Sequence, residues 1–222
     1  MSLVGHYRFT ERQDGDLAAR AEGVDRRRSD VVDLPWTWLN QVHGSTVVTA
    51  DRSGRQVGAQ ADAAVTAQAG VVLAVQTGDC VPIALLAPGA VGVVHAGWRG
   101  LAAGVVMNAV EALRRLSNGP IHAVLGPCIH AECYEFGDEA LDALAGQFGD
   151  GVRGVTRQGS PALDLPAATT IALSRSGVFS IDDVRCCTSC SSRHWSHRAR
   201  GDVGRQALVA WMEDDARDAR DA

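Results

Sequence analysis

The feature that most restricts the fold is a series of short apolar runs rich in Val, Ile and Leu. They are Trp36–Leu39, Thr46–Thr49, Gly70–Gln76, Val81–Leu86 and Ala90–His95, and Gly, Pro and Asp punctuate them. Runs this short, bounded by turn residues, fit buried strands better than helices. One stretch changes period. In RGLAAGVVMNAVEALRRL (99–116), apolar residues fall at 101, 105, 106, 109, 110, 113 and 116, which is one face of a single long helix. Asn118-Gly119-Pro120 ends it.

Further elements follow the same signals. A strand is expected over Ile121–Leu125 and a helix over Asp138–Phe148, with Asp138 as its N-cap. Pro166 opens a third helix that runs through Arg175. Ala207–Met212 is read as a closing strand. Residues 11–33, polar and arginine-rich, are read as loop and short helix. The charged tail over 214–222 has no large apolar residue and is expected to fray. Strands interleaved with helices make an α/β protein with a mixed sheet. No linker-like stretch divides residues 1–222, so one domain is expected.

Composition narrows the function. With 21 basic and 26 acidic residues the net charge is -5, which gives no reason to expect nucleic acid or an anionic membrane as a partner. No run approaches the ~18 apolar residues of a membrane span, and Met1–Thr10 lacks a secretion signal's apolar core. A cytoplasmic protein is expected, a monomer or weak homo-oligomer. There its six cysteines read as ligands, nucleophiles or packing rather than as a disulfide framework.

Three segments carry the unusual residues at strand ends: Gln41-Val42-His43-Gly44, Thr77-Gly78-Asp79-Cys80, and His95-Ala96-Gly97-Trp98-Arg99-Gly100. Loops at strand ends are where α/β proteins build sites, and glycine lets backbone approach a ligand. His43, Cys80 and His95 would make a zinc set with an open fourth position, the catalytic pattern. Such zinc lowers the pKa of a bound water to near ~7. Spacing alone leaves the other reading open: two hydrogen-bonded histidines and a packing cysteine.

Other segments are less specific. Cys187-x-x-Cys190 with His194 and His197 has a compact spacing, but its insert is too short for a Cys2His2 finger. A cysteine-rich loop beside the main site is the plainer reading. Gly97–Gly100 before a helix could receive an anion at the helix N-terminus. Arg198, Arg200 and Arg205 form a basic cluster able to clamp an anion, or a solvated loop. Cys128 and Cys133 read as packing residues.

Taken together, WLNQVHGSTVV, ADAAVT, TGDCVPIALL, VGVVHAGWRGL, GPCIHAECYEFG and CTSCSSRHWSHRARGDVGRQA resemble the bacterial laccase-domain proteins. That family is named after multicopper polyphenol oxidoreductases, is also called the peptidoglycan editing factor family, and is now described as purine nucleoside phosphorylases with adenosine deaminase activity. The matching stretches cover Trp38 to Ala207, about three quarters of the chain. The N-terminal RFTERQDGDLA departs from the family's Arg-x-Gly-Gly-x-Ser element, offering Arg12 without the paired glycines.

The resemblance implies a single α/β domain with layered mixed β-sheets flanked by helices. It implies zinc held by His43, Cys80 and His95, with copper as the other ion that fits the same donors. It implies phosphorolysis of adenosine, inosine and methylthioadenosine, and deamination of adenosine. Purine nucleosides and phosphate are then the partners. Cys80 and Asp79 are the catalytic candidates, with Asp79 either moving a proton or capping its turn. Gln41, Arg198 and Arg205 are the substrate-binding candidates. Three rivals stand beside this: a copper polyphenol oxidoreductase, a metal-free cysteine hydrolase using Cys80 and His95, and a zinc-stabilised binding module whose site is closed by Cys128 or a C-terminal cysteine.

Overall fold

The computed structural model describes residues 3–214. In chain order the elements are β1 (Leu3–Phe9), α1 (Val24–Val31), β2 (Trp36–Trp38), β3 (Val47–Thr49), β4 (Ala63–Thr66) and β5 (Val72–Thr77). There follow β6 (Val81–Ala87), β7 (Ala90–Ala96), α2 (Trp98–Ala102), α3 (Val105–Arg114), β8 (His122–Leu125) and α4 (Asp138–Phe148). The last are β9 (Arg153–Val155), β10 (Pro161–Leu163), α5 (Leu165–Arg175), β11 (Ser180–Asp183), α6 (His197–Arg200) and β12 (Gln206–Asp214).

The strands form a four-stranded sheet in the order β1-β12-β5-β2, a six-stranded sheet in the order β11-β8-β6-β7-β4-β3, and a β9–β10 ribbon. Both larger sheets are mixed: β2 and β5, β3 and β4, and β8 and β11 pair in parallel, and the other strand pairs are antiparallel. This is the α/β architecture expected, with helices flanking layered sheets.

Period-two alternation sorts the side chains into layers. In β5 and β12, Leu73, Val75, Leu208, Ala210 and Met212 meet Ala84, Val91, Val93 and Val124 of the larger sheet. Their neighbours Val72, Ala74, Ala207 and Val209 face the other way, onto Leu17, Val24 and Trp36. On the larger sheet's far side, Ile83, Leu85, Val94 and Leu125 pack against Val106, Val110 and Leu113 of α3, Leu141 and Leu144 of α4 and Leu173 of α5.

The structure corrects three local expectations. The helix expected over 99–116 is two helices. Gly104 takes a left-handed conformation (φ +87°) between α2 and α3, and a residue there ends one helix and starts another. Asp138 is not the N-cap of α4; it is the first helical residue, after Gly137. By contrast, Asp164 does cap α5, accepting the Ala167 N–H at 2.9 Å. In the tail, Glu213 and Asp214 belong to β12, opposite Val4 and Leu3; residues 215–222 lie outside the described residues. No described helix is long and apolar enough to cross a membrane.

Candidate metal centre

A two-residue turn at Pro88-Gly89 closes the β6–β7 hairpin, with Gly89 at φ +73°. The hairpin register pairs Pro82 with His95 and Val81 with Ala96. Cys80, just before β6, therefore reaches the end of β7 that carries His95. On the other flank, β4 pairs Ala63 with Val94, and the His95 N–H donates to the Asp62 carbonyl at 2.7 Å. The third segment, 41–44, reaches the same point by folding around Asp62. This buried carboxylate accepts backbone N–H groups of Val42 (3.2 Å), His43 (2.9 Å) and Gly44 (2.7 Å). His43 takes a left-handed backbone (φ +58°) to make this loop. That strain is offset by the three hydrogen bonds.

The ligand atoms of His43, Cys80 and His95 consequently lie within 4.8 Å of one another. Cys80 Sγ is 3.9 Å from His43 Nε2, and the two imidazoles meet edge to face. Asp62 also binds His95 Nδ1 at 2.8 Å. An ionised carboxylate only accepts, so Nδ1 keeps a proton for Asp62, and Nε2 is the nitrogen that would bind a metal on losing its own proton.

The electrostatics suit this role. Burial opposes ionisation of Cys80, but the charge of His95 and hydrogen bonds from both imidazoles outweigh it and lower the thiol to about 6. Burial likewise opposes protonation of His95, yet Cys80 and Asp62 raise it to about 9. The Asp62 carboxyl is held below its ordinary value: burial works against this, and His95 and the Gly44 and Val42 N–H groups prevail. A thiol and two imidazoles converging from three segments, one imidazole oriented by a buried carboxylate, could hold a metal ion with a coordination position left open. Neither Cys128 nor a C-terminal cysteine joins this group. Gly97 has no room for a side chain. A Cβ there would lie 2.9 Å from both Cys80 Sγ and His43 Cδ2.

The trio opens into a cavity of about 470 Å³, which Gln41, Gly78, Asp79, Tyr134, His197, Arg198 and Arg205 also line. All the substrate-binding and catalytic candidates thus share one space, but their polar atoms are partly engaged. Gln41 donates to the Gln76 carbonyl (2.7 Å) and accepts its N–H (2.8 Å). Asp79 accepts the Thr188 hydroxyl and the Arg198 N–H, each at 2.7 Å. Arg198 donates to the Glu135 carbonyl and lies over the Tyr134 ring. Nη1 of Arg205 donates to the carbonyls of Asp202, Val203 and Gly204. Burial raises the Tyr134 hydroxyl to about 12.

Other residues are structural. Arg200 donates to carbonyls of Thr188, Ser189 and His194 and pairs with Asp202. Arg12 pairs with Asp202 and lies over Trp195. The segment after β7 forms only a five-residue helix, and its glycines serve close packing. His194 faces Ser191 and Cys186 rather than the Cys187-x-x-Cys190 turn, so the four residues of that sequence pattern do not meet.

Asp62 and Tyr134 carried no assignment from sequence. Asp62 lies within ADAAVT, where a lone Asp before a buried strand was the only signal. Tyr134 follows Cys133, which reads as a packing residue.

Residues 11–213 match the family described as multi-copper polyphenol oxidoreductase laccase. A purine nucleoside phosphorylase of Streptomyces coelicolor is 37% identical over 203 residues, covering 89% of this chain and 81% of that protein. One from Xylella fastidiosa (strain 9a5c) is 38% identical over 205 residues, covering 85% and 78%. Among solved structures, Neisseria meningitidis protein NMB0706 is similar with a TM-score of 0.85 and 30% identity over 95% of both chains. YlmD from Geobacillus stearothermophilus follows at 0.81 and 27%, covering 96% and 92%. With the match spanning nearly all the described residues, the chain belongs to the multi-copper polyphenol oxidoreductase laccase family.

Proposed function

We propose that this chain is a zinc-dependent purine nucleoside phosphorylase acting on adenosine, inosine and methylthioadenosine, with adenosine deaminase activity. The convergence of His43, Cys80 and His95 at the wall of an arginine-lined cavity carries the reading. The names of the curated relatives agree with it.

In phosphorolysis a phosphate oxygen bonds to the sugar C1′ as the C1′–N9 bond breaks. The bonding electrons leave with the purine, which takes up a proton, and sugar 1-phosphate remains. Arg198 and Arg205 are the cations of the cavity, and they offer the phosphate charge-assisted hydrogen bonds. Gln41, held rigid by Gln76, has a further amide N–H for the nucleoside. Asp79, beside Cys80, is the proton-transfer candidate. Zinc, when bound, supplies Lewis acidity and activates water, which is the chemistry deamination needs.

Two rivals weaken on the same geometry. A multicopper oxidase needs a blue-copper site and a histidine-rich cluster. Among the described residues only one group of three or more potential ligands contains histidine. A cysteine hydrolase needs one imidazole on its thiol, and here two converge on Cys80 with a buried carboxylate behind one of them.

The test measures release of purine base from each nucleoside with and without phosphate, ammonia release from adenosine, and bound zinc and copper in protein purified without added metal. Phosphate-dependent turnover that disappears with the zinc in Cys80→Ala is expected. A metal-free Cys80→Ala protein that keeps full activity sinks the reading. Copper in place of zinc, with turnover of phenols instead of nucleosides, favours the oxidoreductase.

A further inference from the structure

Away from the His43 trio, three thiols and a carboxylate converge. The ligand atoms of Glu132, Cys133, Cys187 and Cys190 all lie within 4.8 Å of one another. Two distant segments supply them. Glu132 and Cys133 sit on a 3-10 turn over Ala131–Cys133. Cys187 and Cys190 bracket a tight turn in which the N–H groups of Cys190 and Ser191 both donate to the Cys187 carbonyl. A parallel backbone β-bridge between residues 128 and 187, whose thiols are both free, holds the two stretches side by side.

We propose that Cys133, Cys187, Cys190 and Glu132 form a second, structural metal site that takes zinc or another thiophilic divalent ion. Four features point there. First, four donors match the closed coordination of structural zinc, unlike the open trio. Second, Cys133 Sγ and Cys190 Sγ are 3.4 Å apart, near the separation of about 3.8 Å that tetrahedral Zn–S bonds of ~2.3 Å produce. Third, the backbone around Cys187 is fixed by its β-bridge to Cys128 and by the Cys190 and Ser191 N–H groups on its carbonyl, so this donor is positioned before a metal binds. Fourth, Arg157 Nη2 lies 3.1 Å from Cys190 Sγ. Three thiolates and a carboxylate around a divalent ion leave a net negative charge, and the guanidinium offsets part of it.

The site has a structural consequence. The turn it would fasten carries Thr188, whose hydroxyl binds Asp79 beside Cys80. It also carries the Thr188 and Ser189 carbonyls that hold Arg200. Metal binding at the cysteines would therefore lock the wall of the main cavity that bears Asp79 and Arg198.

Metal content of the full-length chain, purified under reducing conditions with zinc and freed of loose metal by gel filtration, tests this directly. Two zinc ions per chain are expected, falling to one in a His43→Ala/His95→Ala variant and to one in Cys133→Ser/Cys190→Ser. The first variant leaves the cysteine cluster intact, so the test survives if the serine variant fails to fold. After cobalt replaces zinc in the His43→Ala/His95→Ala protein, strong thiolate-to-cobalt absorption is expected. Zero metal in that variant overturns the proposal. So does a mass two hydrogens lighter, with a Cys133–Cys190 disulfide in freshly reduced and re-purified protein and no second zinc, which would make the cluster a redox pair.

Discussion

Asp62 Oδ1 lies 2.8 Å from His95 Nδ1, and the same buried carboxylate holds the backbone of His43 through three N–H groups. One side chain thus orients one candidate ligand and the loop that delivers another. Asp62→Asn removes the charge and gives up part of this acceptor set. Zinc affinity, measured by competition with a chromophoric chelator, is expected to fall about 10- to 100-fold. Unchanged affinity means that Asp62 only packs.

The lowered thiol of Cys80 gives a pH signature in metal-free protein. The shift stabilises the fold above the unfolded thiol value of about 8.5 and is lost as pH falls through about 6. The raised His95 acts oppositely: its contribution is present below about 6.5 and lost as pH rises through about 9. Between these limits the two slopes oppose, so stability changes little across neutral pH. Reactivity does change. Alkylation of Cys80, followed by peptide mass mapping, is expected to have its midpoint near 6, with zinc protecting. A midpoint near about 8.5 means that the imidazoles do not act on the thiol.

Asp79 and Arg198 separate binding from proton transfer. Arg198→Ala is expected to raise the KM for phosphate roughly tenfold, the order of one charge-assisted hydrogen bond, with zinc content unchanged. Asp79→Asn is expected to lower kcat and remove one limb of the pH–rate profile. A profile that keeps both limbs while the protein melts earlier assigns Asp79 to its contacts with Thr188 and Arg198 alone.

Gly104, at φ +87°, separates α2 from α3. Gly104→Ala forces a Cβ into a left-handed conformation at a cost of about 1–2 kcal/mol. Thermal denaturation is expected to shift down by a few degrees for a chain of this size. A higher Tm would mean that 98–114 relaxes into one continuous helix.

Much of this protein is legible in its residues. Short runs such as Val81–Leu86 become strands because they are buried on the six-stranded sheet, and β-branched side chains suit that setting. Helices with clear stops, at Asp138–Phe148 and Leu165–Arg175, lie where periodicity and Pro166 put them. Strands without those signals were missed. β1 mixes Gly, His and Arg into its apolar positions, and half of β4 is alanine, a residue depleted in strands. The break at Gly104 was missed too, since apolar spacing continues across it.

For the site, the sequence by itself supplied the candidate donors: an imidazole, a thiol and an imidazole, each within two residues of a glycine near a strand end. Only the tertiary structure decided which of them meet. The β6–β7 register brings Cys80 to His95, and the N–H groups around Asp62 bring in His43. The same holds for the cysteines. Cys187-x-x-Cys190 reads as a pair with His194 and His197, but the chain turns those histidines away and supplies Cys133 and Glu132 instead. The reason is physical: spacing specifies neighbours only within one turn or strand, whereas ligands far apart in sequence are joined by sheet register and loop closure, which the whole core sets.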